Sequence, residues 1–173
     1  MTDDRTAIIA EARGLASKYE SENRGCAQAV LAALQDVFHM RDDDVFRAAS
    51  GLSGGVGLST RGTCGALSGG AMAIGMLFGR ERKDFRDPGG MRRITYRLCN
   101  ALCMRFEAEY GSVICSKIQE RHLGRSFDLW NPDEYGKFDE VAYRQGRCPD
   151  LVGNGAAWAA EIIIEELEAR ERS

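Results

Sequence analysis

The sequence predicts an all-α fold: a compact multi-helix bundle around a glycine-rich, buried central helix. Apolar residues recur at helical spacing through several long stretches. No segment alternates apolar and polar residues as a half-buried strand would. Capping or stop residues flank most of the helical stretches. At roughly 100–200 residues per domain, the 173 residues fit a single helical domain, residues 1–173.

The first helix is expected from about Asp4 to Tyr19, with Ile8, Ala12, Leu15, Ala16 and Tyr19 as its stripe. Glu20 to Gly25 is a polar break. The second helix starts near Cys26 and carries Ala29, Val30, Ala33, Leu34, Val37 and Phe38. Asp42 or Asp43 suits the cap of a short third helix through Ala49, since a carboxylate accepts the free N–H groups of a first turn. Thr63 suits the cap of the fourth, Cys64 to Phe78, where Gly65 and Gly69 give a flat face for a close helix neighbour. The fifth runs from Met91 to Tyr110 along Ile94, Leu98, Leu102, Phe106 and Tyr110, and Gly111 ends it. Ser112 suits the cap of a short sixth helix through Ile118. His122 to Arg147 reads as a long connection, packed down by Phe127, Trp130, Tyr135, Phe138 and Tyr143. The last helix begins at Cys148-Pro149 and carries Val152, Ala156, Ala160, Ile163, Ile164 and Leu167.

Several function classes fall away. A net charge of −3 lacks the basic footprint of a nucleic-acid binder. GLSGGVGLSTRG, residues 51–62, is rich in glycine but has neither the order of a phosphate-cradling loop nor the spacing of a dinucleotide fingerprint. Gly62 to Gly79 carries no charge, yet its glycines and hydroxyls suit a buried helix better than a membrane span. The acidic start MTDDRTAIIAEA does not resemble a signal peptide, so a cytoplasmic location is expected.

Six cysteines remain to be explained. A cytoplasmic chain keeps thiols reduced, which leaves buried thiols, metal ligands or redox-active thiols. Cys26, Cys64 and Cys148 stand at predicted helix starts and Cys115 within the first turn or so of another. Helix starts present unpaired N–H groups and partial positive charge, so a thiol there should lose its proton readily. The glycine beside Cys64 should keep its sulfur accessible. Cys99 and Cys103, four apart in mid-helix, read as packed thiols, with a pair of metal ligands as the alternative. There is no C-x-x-C pair for a zinc ribbon or a thioredoxin-type motif. His39 and His122 read as surface or helix-end residues.

GCAQAVLAAL at 25–34, TCGALSGGAMAIG at 63–75, YGSVICSKI at 110–118 and GRCPDLV at 146–152 resemble the C_GCAxxG_C_C family of redox-active proteins. SFDLWNPDEYGKF resembles the family segment before its last cysteine. The resemblance implies a small helical domain whose four characteristic cysteines fall on Cys26, Cys64, Cys115 and Cys148. Gly25 stands where a family member often has Asn, and Cys99 and Cys103 are additional.

Three functions compete. The cysteines Cys26, Cys64, Cys115 and Cys148 hold an iron–sulfur cluster for electron transfer; or they cycle between dithiol and disulfide without metal; or the chain is a helical module with a structural zinc, or one that docks on a partner, the glycine face of the fourth helix then serving a homodimer interface rather than the core. The first ranks highest. The redox partner protein is not readable, and neither nucleic acid nor membrane insertion is expected.

Overall fold

The computed structural model describes residues 2–172. Among them are eight α-helices: α1 (Thr2–Asn23), α2 (Cys26–Val37), α3 (Asp43–Ala48), α4 (Gly65–Phe78), α5 (Met91–Tyr110), α6 (Cys115–Leu123), α7 (Pro132–Asp139) and α8 (Arg147–Glu171). No strand forms among the described residues; the one β-bridge pairs Thr63 with Ile114. The fold is all-α, as the helical periodicity predicts.

The two longest helices, α1 and α8, pack along each other through small residues. Ala12 and Ala16 of α1 and Ala156 and Ala160 of α8 are fully buried. A Cβ on Gly153 would come within 3.0 Å of the Arg13 carbonyl, so glycine there lets the backbones approach. Ion pairs from Arg5 to Glu165 (2.7 Å) and Arg13 to Asp150 (2.5 Å) flank the seam.

α4 lies at the centre, against α2, α5 and α8. Its Ala66, Ala73, Ile74 and Phe78 are almost wholly inaccessible, beside Leu31 and Leu34 of α2 and Leu102 and Phe106 of α5. Phe106 stacks edge-on against Trp158 at 5.3 Å. Truncating such a ring to alanine costs about 3–5 kcal/mol, because lost burial and the remaining cavity add.

Most helix ends fall within a few residues of expectation. Asp42 caps α3 by accepting from Asp44 and Val45 N–H. Gly111, at φ 74°, stops α5. Two details differ. Cys64, not Thr63, is the residue that caps α4. The segment expected as a long connection contains α7 and a π-helical turn, Glu140–Arg144. Asn131 caps α7 through Asp133 and Glu134 N–H, with Pro132 at its first position, a start signal hidden among the aromatics. Phe127, Leu129, Phe138 and Ala142 form a second small core there, while Trp130 stays exposed. Among the described residues no helix is long and apolar enough to cross a membrane.

Candidate functional site

Close helix packing brings the first two cysteines together. α4 lies on the start of α2 with its glycine face. A Cβ on Gly69 would overlap the Ala27 carbonyl oxygen, and one on Gly65 would overlap the Cys26 sulfur. Cys26 is the first residue of α2 and Cys64 the cap of α4, so the glycines set the two thiols side by side. Gly65 therefore does not expose Cys64, as the sequence suggests; Cys64 is buried, and Gly65 makes room for the sulfur of Cys26.

The third cysteine arrives through backbone pairing. Cys64 N–H donates to Val113 C=O (2.8 Å), Cys115 N–H to Gly62 C=O (2.9 Å) and Ser116 N–H to Thr60 C=O (2.8 Å). These bonds tie the entry of α4 to the entry of α6, which begins at Cys115. The glycine-rich loop serves this approach. A Cβ on Gly55, whose φ is 71°, would crowd Cys115 Cβ at 2.8 Å. Cys148, second in α8, is fixed by a cross-tie: Arg147 Nη1 donates to His122 C=O (2.6 Å), and His122 Nε2 lies 3.0 Å from Arg147 C=O.

Cys26, Cys64, Cys115 and Cys148 all border one cavity of about 230 Å³. Leu58, Leu129, Phe138 and Leu151 make much of its wall apolar, and Glu20, Gln119 and Tyr143 are among its polar lining. All six cysteines of the chain are free thiols. Cys99 and Cys103 lie elsewhere, half-buried against the main core; the Cys99 thiol points at Ala71 C=O at 3.9 Å. That is the packing expected of mid-helix cysteines. Among the described residues no three His, Cys, Asp or Glu side chains converge closely enough to grip one metal ion.

The electrostatics differ from those the helix starts suggest. Burial pushes Cys26, Cys64 and Cys115 up to about 12, and Cys148 well above its ordinary value. The N–H groups do act in the expected direction: Ala66 and Leu67 favour the Cys64 thiolate, and Gly54 that of Cys26. Gln119 Nε2 donates to Cys115 Sγ at 3.5 Å. Desolvation in an apolar cavity outweighs them, and each thiolate would also repel its neighbours. The resting thiols are neutral.

The sequence reading missed Glu20. It sits near the end of α1, where a polar break was expected, yet it is only 1% exposed. Tyr143 O–H donates to its Oε1 at 3.1 Å, and Oε2 has no partner. Burial raises this carboxyl to about 7, while Tyr143 and Arg24 pull the other way. Arg24 is engaged elsewhere: it pairs with Asp139 at 2.9 Å and lies over the Tyr143 ring at 3.5 Å. The Ser53 hydroxyl lies near enough to favour the Cys26 thiolate but makes no hydrogen bond of regular geometry. A buried glutamate on an otherwise solvated turn leaves no sequence signal. His122 sits in the last turn of α6, the helix-end position expected of it, and also lines the cavity.

A larger groove of about 530 Å³ runs between α1, α2 and α3, but it holds no thiol. Among its polar groups, Tyr19 donates to Asp36 (2.7 Å) and Arg41 to Asp43 (2.9 Å). The four motif thiols border the smaller cavity instead.

The family model described as "Putative redox-active protein (C_GCAxxG_C_C)" matches residues 25–162, a span holding all four cavity cysteines. No curated protein and no solved structure matches the chain.

Proposed function

Because the chain belongs to the C_GCAxxG_C_C family, we propose that it transfers electrons at a centre formed by Cys26, Cys64, Cys115 and Cys148, which together hold an iron–sulfur cluster. The observation that carries this reading is that four sulfurs from four helix starts border one largely apolar cavity. Thiolates are the usual protein donors to such clusters. The sulfurs stand around a space rather than on a point, which suits a group of several atoms. A lone tetrahedral zinc needs all four within about 2.3 Å of its centre. Glu20, whose Oε2 has no hydrogen-bond partner, also lines this cavity.

When bound, the group would accept and release single electrons. The protein's part is to prepare its surroundings. Each thiol must give up its proton, and the buried site opposes this unless positive charge arrives with the ligand. The N–H groups of Ala66, Leu67 and Gly54 and the Gln119 amide then hydrogen-bond the sulfurs, which favours the reduced state. Leu58, Leu129 and Phe138 keep water from the centre.

Anaerobically produced protein is expected to carry iron and acid-labile sulfide and to absorb in the visible, bleaching on reduction. Protein with all cysteines intact but neither iron nor sulfide overturns the reading. The placement of Cys26 against Gly65, next to Cys64, favours a second reading: a metal-free dithiol. Two thiols would then exchange with a substrate disulfide, forming one S–S bond here and releasing two thiols there. Peptide mapping after treatment with oxidised glutathione detects that bond.

A further inference from the structure

One wall of the thiol cavity does not belong to the main core. Phe127, Leu129, Phe138 and Ala142 form a small core of their own, and Tyr135 and Tyr143 pack on it. Leu129, Tyr135, Phe138 and Tyr143 of this unit also line the cavity. Among the helical elements, α7 packs mainly on the π-helical turn that follows it, so the segment leans largely on itself. A glycine in left-handed conformation bounds it at each end: Gly124, at φ 92°, closes α6, and Gly146, at φ 71°, precedes α8. Both have open space at the Cβ position, so packing does not lock them. Hinges are commonly such element-terminal residues. Just outside the two glycines, the tie between His122 and Arg147 holds the bases of the segment side by side.

Two polar latches hold the segment down. Trp130 Nε1 donates to Gly57 C=O at 2.9 Å, although the residue is 73% exposed. Burial does not keep that indole in place, so the hydrogen bond does. On the other side Arg24, just past α1, pairs with Asp139 at 2.9 Å and lies over the Tyr143 ring at 3.5 Å. Cys64 is only 6% exposed and Cys115 only 8%, so any ligand or substrate of these thiols needs a way in. We propose that residues 124–146 are a lid hinged at Gly124 and Gly146, which opens to admit ligand to Cys26, Cys64, Cys115 and Cys148, and that the Trp130–Gly57 and Arg24–Asp139 contacts are the latches that keep it shut. The lid serves the cluster and the dithiol readings alike.

The experiment uses the full chain, reduced and freed of metal with a chelator, as wild type, Trp130→Phe and Asp139→Asn. Trp130→Phe keeps a ring and loses the donor; Asp139→Asn keeps the shape and loses the charge. The readouts are N-ethylmaleimide labelling of each cysteine by peptide mapping, and amide hydrogen exchange. Each variant is expected to speed labelling of the four cavity cysteines about three- to tenfold, the effect of losing one polar contact. Amides of residues 131–144 should exchange faster to a similar degree. Labelling of Cys99 and Cys103 and exchange in α4 should stay as in wild type. Labelling of Cys64 should also rise less steeply with urea than exchange of the α4 amides, since opening a lid exposes less surface than global unfolding. Three results each overturn the proposal: cavity labelling unchanged in either variant, α4 exchange accelerated as much as cavity labelling, or Cys64 labelling as steep in urea as α4 exchange.

Discussion

Replacing Glu20 with glutamine tests the burial of this carboxyl in the iron-free protein. Its titration point lies at about 7 in the fold against 4.5 for an ordinary glutamate. The folded state thus binds the proton more tightly than the unfolded state does. Stability that is full at low pH is therefore lost as pH rises from about 4.5 through about 7. The span is 7 − 4.5 = 2.5 pH units, and at 1.36 kcal/mol per unit the loss is about 3 kcal/mol. Glu134, held near 2 by Arg125 and Lys137, changes its contribution only below this window. The cavity thiols, raised to about 12 or beyond, change theirs only above it. Urea unfolding with a chelator present, at about pH 5 and about pH 8, measures the effect. Wild type should lose about 2.5 kcal/mol relative to Glu20→Gln between the two, or roughly 5–10 °C in melting temperature. Parallel pH profiles for the two proteins would refute the idea that the carboxyl is buried with one oxygen unpartnered.

Other substitutions probe the packing that builds the centre. Gly69→Ala forces α4 off the Ala27 carbonyl and should cost about 1–3 kcal/mol in urea unfolding, whereas Gly75→Ala, with open space at its Cβ, should stabilise by about 0.5–1 kcal/mol. Gly65→Ala displaces the Cys26 sulfur and should abolish iron retention, measured on reconstituted protein, with a smaller effect on melting. Val56 is β-branched, exposed and at φ 67°, so Val56→Gly should stabilise by about 1 kcal/mol by thermal melting as left-handed strain is relieved. Near pH 8, iodoacetamide with peptide mapping should find Cys64 and Cys115 in the iron-free protein about a thousandfold less reactive than an exposed thiol, since three pH units separate 12 from 9.

The helices were legible because burial imposes a period: Leu98, Leu102, Phe106 and Tyr110 are all buried on α5, as their spacing requires. The cysteines were legible for a related reason. A residue at a helix start is visible from capping and glycine signals, and all four thiols lie within two residues of one. Their protonation was not legible, because N–H donation is local while desolvation depends on side chains such as Leu58 and Phe138, far off in sequence. Glu20 escaped for the same reason: its burial comes from Tyr143 and the π-helical turn, 123 residues on. Gly65 was recognised as a close-packing position, but only the fold shows that the atom it admits is a sulfur.

The most direct test sets the six single cysteine-to-serine variants side by side, each produced anaerobically and assayed for iron, sulfide and visible absorption. Cys26, Cys64, Cys115 and Cys148 variants should each lose the chromophore or hold it weakly, while Cys99→Ser and Cys103→Ser should keep it. Retention in any of the first four with loss in either of the last two would contradict a centre built on that cavity.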